Sequence, residues 1–160
     1  MCEYCGCQAI AAIELLTREH ERALDHVRAV TAALRAEDQP RALEACAALA
    51  ALLGPHTAVE ERALFPAMHS EFPEHVSALR QEHRRIEAAI GAALDPDERP
   101  PGWQQELSAA LVLLREHILK EQDGVFPGAL GILRTAQWDE LERVRHEVGT
   151  ALVAETRIAP

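Results

Sequence analysis

Basic stretches are missing from this chain of 160 residues: 16 Lys and Arg stand against 26 Asp and Glu, and the formal net charge is −10. Affinity for a phosphate backbone rests on clustered Lys and Arg, so no nucleic-acid partner is expected. No uninterrupted apolar run reaches the roughly 18 residues that a membrane span needs. Met1-Cys2-Glu3-Tyr4 has neither the basic start nor the apolar stretch of a signal peptide. A cytoplasmic protein that engages no membrane is the expectation. Aromatic residues make up only 4% of the chain, while 48% is apolar. With alanine and leucine dominant, the core is expected to be aliphatic and the chain to be helical. Cysteine is sparse: Cys2, Cys5 and Cys7 crowd the start and Cys46 stands alone among alanines and leucines. In a reducing compartment these are thiols rather than structural disulfides, and Cys46 reads as a small core hydrophobe.

Against these absences stands one repeated pattern. His56-Thr57-Ala58-Val59-Glu60 is followed by Phe65-Pro66, and His117-Ile118-Leu119-Lys120-Glu121 by Phe126-Pro127, 61 residues on and in register at His, Glu, Phe and Pro. Residues four apart lie one turn above each other on the same helix face. Each copy therefore aims an imidazole and a carboxylate at one small volume.

The chain around the repeat reads as helices. A short cysteine arm, residues 1–7, precedes a helix from Gln8 to about Ala36, whose stripe is Ile13, Leu16, His20, Leu24, Val27, Thr31 and Leu34. A second helix runs from about Pro40 to His69, with a kink or short break expected at Gly54-Pro55. Its inner face holds Leu49, Leu52, His56, Glu60, Ala63 and Leu64. A third, about Pro73 to Leu94, carries Val76, Leu79, His83, Ile86 and Ile90. The proline-rich loop at 95–102 separates it from a fourth, which starts at Gly102 or Trp103 and passes Glu121. Gly124, Gly128 and Gly131 leave its continuation open. A last helix, about Thr135 to Glu155, has Thr135 as its expected N-cap. Its stripe of Trp138, Leu141, Val144, Val148 and Leu152 predicts packing along the bundle. Glu19-His20-Glu21-Arg22 also resembles Glu82-His83-Arg84-Arg85, so the chain reads as two like hairpins meeting at a shared site. The expected architecture is all-α: an antiparallel up-down four-helix bundle over residues 8–134, with residues 135–160 as an accessory helix.

If the four stripes face one axis, His20, His56, Glu60, His83, His117 and Glu121 converge. A lone His on an apolar stripe is most often a core residue with a hydrogen-bond partner. Four of them at mid-helix, one per helix, with two glutamates each a turn beyond a His, are different, because an unpaired buried carboxylate costs several kcal/mol. Four imidazoles and two carboxylates suit two first-row transition metals, which carboxylates can bridge. Six protein ligands leave such a pair with open positions. His26, His69, His75 and His146 fall off the stripes. Glu87, four residues after His83, is expected to face solvent or Arg84, and Glu61 and Asp123 to be solvated.

These residues resemble the hemerythrin-like (HHE cation-binding) domains over roughly residues 15–130: Glu-His at His20 and at His83, His56-x-x-x-Glu60 with Leu64-Phe65-Pro66, and His117-x-x-x-Glu121 with Phe126-Pro127. The resemblance implies a four-helix bundle with a non-heme centre of two iron ions, oxo- or hydroxo-bridged. Glu60 and Glu121 would bridge them and the four His would be terminal ligands. Oxygen-carrying members have a further His where this chain has Leu79, and a longer spacing to an Asp where it has Glu121. The His4Glu2 set is more similar to the bacterial iron-centre repair and iron-sensing members, which points away from simple oxygen storage. The expected function is binding or sensing of O2, NO, peroxide or iron, with a redox or iron-donor protein as partner. The alternatives are an enzyme for peroxide or NO detoxification or cluster repair, and a zinc or manganese bundle with a structural role. Cys2, Cys5 and Cys7 form a candidate second metal site. It is one thiolate short of the usual four, and Cys46 could join only if the arm folded back onto the second helix.

Overall fold

The computed structural model describes the backbone of residues 5–150 and the side chains of residues 8–150. Among these the chain is all helix: α1 (Cys5–Arg35), α2 (Gln39–Val59), a π turn (Glu60–Leu64), α3 (Phe65–Met68), α4 (Pro73–Leu94), α5 (Trp103–Lys120), a second π turn (Glu121–Val125), α6 (Phe126–Ile132) and α7 (Thr135–Val148). Four rods result, because α2, its π turn and α3 run on as one, and so do α5, its π turn and α6. α1 packs along α2, α4 along α5, α2 against α4 and α1 against α5, which closes a ring of four. Short connections reverse the chain between rods. At the first, Glu37 takes a left-handed φ of 55° and the Asp38 carboxylate accepts the backbone N–H of Arg41 at 3.2 Å, capping α2 just ahead of Pro40.

Several sequence expectations shift. α1 starts at Cys5 rather than Gln8, and the cysteine-arm site at Cys2, Cys5 and Cys7 lies outside the described side chains. α2 passes Gly54-Pro55 without a break. One missing donor is tolerated there because the turns on either side bury Leu49, Leu52, Leu53 and His56. The irregularity comes later, where both long rods widen into π turns that begin at Glu60 and Glu121. In each the carbonyl of the glutamate accepts the N–H of the phenylalanine five residues on. Pro66 and Pro127 follow directly and have no N–H to give, so the widened turn absorbs the missing bond. The second rod continues through Gly124 and Gly128 to Ile132. α7 is capped by Arg134, whose backbone N–H donates to Gln137 Oε1 at 2.8 Å, so Thr135 is the first helical residue and not the cap. It ends at Val148 rather than Glu155, because Gly149 turns left-handed at φ 67°.

The core forms two apolar clusters. One joins Leu16, Val59, Leu64, Phe65, Leu79, Phe126, Trp138 and Leu141. The other joins Val27, Val30, Cys46, Leu49, Ile86, Ile90, Trp103 and Leu107. Cys46 is free and wholly buried there, beside the C-terminal half of α1, and burial pushes its thiol up to about 11. That places it away from the start of α1. The rod Gln39–Met68 is long and apolar enough to cross a membrane by length and composition alone, with a mean hydropathy of 1.4 over its best window. Here it is a wall of the bundle, with His56 and Glu60 turned inward.

α7 packs on α1, on α2 and on the first π turn, with Trp138, Leu141 and Val144 buried. Removing a buried aromatic ring costs about 3–5 kcal/mol. Trp138→Ala should therefore lower unfolding stability by about that much in urea. A change below about 1 kcal/mol would mean that α7 is not part of the core.

Candidate metal centre

Between the two apolar clusters lies a buried polar layer. His20, His56, Glu60, His83, His117 and Glu121 all meet there, each at most 5% exposed and both glutamates at 0%. The structure thus brings together all six residues picked out from the sequence. His20 comes from α1, His56 from α2, His83 from α4 and His117 from α5, while each glutamate opens a π turn. A π turn shifts the residues after it around the helix axis, so each rod aims its carboxylate inward and still presents the following Phe to the core.

The six side chains fall into two groups that share both carboxylates. His20, His56, Glu60 and Glu121 form one; His83, His117, Glu60 and Glu121 form the other, with the candidate ligand atoms of each within 4.8 Å of one another. Glu60 turns Oε1 to His56 Nε2 at 3.1 Å and Oε2 to His83 Nε2 at 3.4 Å. Glu121 turns Oε2 to His20 Nε2 and Oε1 to His117 Nε2, both at 3.1 Å. Each carboxylate therefore offers one oxygen to each group. Nitrogen and oxygen ligands held about 2.1 Å from one metal ion lie roughly 3.0–3.4 Å apart, so these separations fit a cation between them. The polar atoms say the same. His20 Nε2, His117 Nε2 and all four oxygens of Glu60 and Glu121 are buried without a hydrogen-bond partner, a cost that native interiors avoid. The donor set is intermediate in character, imidazole with carboxylate, and suits first-row transition metals.

Around this layer stand groups that fix the imidazoles. A carboxylate only accepts, so the ring Nδ1–H must donate in each contact. His56 donates to Glu19 Oε2 at 2.8 Å, His117 to Glu82 Oε2 at 2.8 Å and His83 to Glu61 Oε1 at 2.9 Å. Such partners set the tautomer and leave Nε2 free for a metal. The phenylalanines cross between hairpins: Phe126 stacks on His20 at 5.3 Å and Phe65 on His83 at 5.4 Å between ring centroids. Glu19 is held in turn by Arg145 Nη1 at 2.8 Å, and Glu82 by Lys120. Sequence reasoning quoted Glu19 and Glu82 as part of a repeat without a role, took Glu61 as solvated, and passed over Arg145. The signal for Arg145 was present: it lies seven residues after Trp138 and four after Leu141, so a charge stands on the apolar stripe. His26 is half-buried off the site, His69, His75 and His146 are exposed, and Glu87 is exposed beside His83.

The charges interlock. Burial alone would push the His56 imidazole down, but the Glu60 charge and hydrogen bonds to Glu19 and Glu60 outweigh it and push it up to about 10. Burial likewise opposes the hydrogen bond to Glu121 and the charges of Glu121 and Glu60 at His117, which ends at about 9. Glu60 lies well below the usual carboxylate range: burial raises it, and the neighbouring His56 and His83 more than reverse this. Without a cation, protons on the imidazoles balance the carboxylates. A metal ion would displace them.

Residues 11–129 match the family model for the Hemerythrin HHE cation binding domain. No curated protein and no solved structure matches the chain. The match spans the four rods up to α6 and stops before α7.

Two outcomes follow from the shared carboxylates. Glu60→Ala or Glu121→Ala should abolish paired metal binding, while His26→Ala should leave it intact; metal content per chain decides, and two ions retained in Glu60→Ala would refute the shared-carboxylate assignment. The pH dependence has a definite sign. His56 and His117 bind protons more tightly folded than unfolded, so in the metal-free protein their stabilising effect is full below about pH 6.5 and is lost as pH rises through about 9 and 10. Metal binding must expel the same protons, so its affinity should rise with pH through the neutral range and level off above about pH 10. A pH-independent affinity between pH 6 and 8, measured by competition with a chelator of known proton dependence, would contradict it.

Proposed function

We propose a function from one premise: the chain belongs to the hemerythrin HHE cation-binding family. The cations are two iron ions, held by His20 and His56 on one side and by His83 and His117 on the other, with Glu60 and Glu121 spanning both. The observation that carries this reading is that each glutamate directs one oxygen to each histidine pair. Bound iron would supply a redox couple and open positions for a small ligand. The chain's own residues do the rest. Glu19, Glu82 and Glu61 hold three imidazoles with Nε2 inward. The Phe65 and Phe126 rings cover one side of the layer.

The space left beside the imidazoles supports a diatomic or peroxide-sized ligand over an organic substrate. It amounts to about 20 Å³, walled by Leu53, Thr57, Ile86, Leu114 and Ile118 together with the four histidines. A single water requires roughly 10–15 Å³ by the same measure. The ligand is therefore O2, NO or peroxide, sensed or taken up, or the iron itself is the cargo. Leu79, buried where oxygen carriers of this family have another histidine, favours a reactive or sensing centre over oxygen storage. The protein works in the cytoplasm, with a redox or iron-donor protein as partner.

One observation favours a second reading, an enzyme for peroxide or NO detoxification or for repair of iron clusters. Glu87, one turn past His83, also lines the small cavity while remaining open to solvent. A carboxylate at that place can carry protons between water and the site.

Metal analysis of protein purified without air, followed by absorption spectra with O2, peroxide and NO, tests these readings. Two irons per chain and a spectrum that changes reversibly with O2 or NO are expected for the first. Turnover of peroxide or NO that falls about 100-fold in Glu87→Gln supports the second. Full occupancy by zinc or manganese without iron would sink both and leave a structural bundle.

A further inference from the structure

Helix α7 lies beyond the residues that match the family, yet it reaches the metal layer. Arg145 is 0% exposed. One Nη1 serves Glu19 Oε1 at 2.8 Å and Thr150 Oγ1 at 3.4 Å, while Nε and Nη2 have no hydrogen-bond partner. Burying a guanidinium this deeply costs more than packing returns unless its charge is used. The use on the page is Glu19, itself 1% exposed, whose other oxygen takes the His56 Nδ1–H at 2.8 Å. We propose that Arg145 is a positioning residue for the metal centre: it anchors the Glu19 carboxylate, and through it fixes the tautomer and aim of His56, so that α7 completes one half of the site.

The other half shows what is particular here. His117 has the corresponding partner in Glu82, but Glu82 is paired with Lys120, which is 52% exposed. His83 has Glu61 in addition, which is joined to Arg80. His20 has no such outer partner: its Nδ1 is buried without a hydrogen bond, and the residue in register with Glu61 is Gln122. The His20–His56 position therefore depends for orientation on the single chain Arg145–Glu19–His56, together with the Phe126 ring. The His83–His117 position has two carboxylates of its own and no contribution from α7. Loss of Arg145 should fall on one position and spare the other. Partners of this kind are worth about 10–100-fold in metal affinity.

This inference rests on the two-metal reading, so its test has a part that does not. In metal-free protein labelled with 15N-histidine, the His56 Nδ1–H should give a slowly exchanging resonance. Arg145→Met and Glu19→Gln should both remove or broaden it, and Arg145→Lys should restore it in part. An unchanged resonance in Arg145→Met overturns the proposal whatever the metal does. In the second part, Co(II) is titrated into each variant under argon. The wild type should take two ions, and Arg145→Met should weaken one of them by about 10–100-fold with the other within about twofold. Equal weakening of both, or a lowered melting temperature with both affinities unchanged, would make Arg145 merely structural and overturn the proposal. A wild type that takes no pair of ions while its resonance behaves as expected would instead fail the two-metal reading. Should Arg145→Met not fold, Arg145→Lys and Glu19→Gln decide by the same two measurements.

Discussion

Two carboxylates at zero exposure, between two apolar clusters, are the constraint that the rest of this bundle answers. Glu60 and Glu121 have lost all their water, and a carboxylate in such surroundings must find positive charge or give up its own. Nothing in the aliphatic clusters can help. The four imidazoles can, either as proton carriers or as fellow ligands of a cation, and the sequence places one on each long rod so that all of them arrive at the same level. The cost of that layer explains why so much of the surrounding chain is fixed. Stacked phenylalanines, outer carboxylates and a buried arginine hold six side chains within a few tenths of an ångström of distances that suit a metal.

The two Phe-Pro sequences show how local chemistry serves that layer. A proline at the start of a helical turn costs a hydrogen bond in the turn before it. Here the loss falls on a turn already widened, because the glutamate carbonyl reaches the phenylalanine N–H five residues on. The widening lets one rod carry an inward glutamate and, five residues later, a ring that stacks on a histidine of the opposite hairpin. His, Glu, Phe and Pro recur in register because each depends on the others.

This is also why the site was legible before the fold. Periodicity placed His20, His56, His83 and His117 on apolar stripes, and helix spacing tied two of them to glutamates. The third rod, Pro73–Leu94, is bounded as the sequence suggested, because Pro73 opens it and Asp95-Pro96 closes it. What spacing could not show was contact between elements. Glu19 precedes His20 but serves His56, 37 residues away. Glu61 looks like the solvent side of its motif, yet it crosses to His83 on the next rod. Π turns escape a period-based reading too, since one extra residue in a turn leaves the apolar stripe nearly unchanged. The expected stop of the last helix failed for a simpler reason: a stripe through Leu152 says nothing of Gly149, whose left-handed backbone ends the helix first.

The repeat is near-symmetric in its ligands and unequal in what stands behind them. Glu61 and Gln122 are the two copies of one position, and only the glutamate can accept an imidazole proton as a charged partner. Arg145 and Lys120 play matching parts behind Glu19 and Glu82, one sealed in the core and the other in water. A charge pair in low dielectric is stronger and less screened by salt than one at the surface. The His20–His56 half is therefore held by one strong dry chain, and the His83–His117 half by several weaker wet ones. Two identical ions placed in these halves would meet different fields, so equivalence of the ligands does not make the positions equivalent. The difference arises outside the ligand set, in a helix that the family match does not reach.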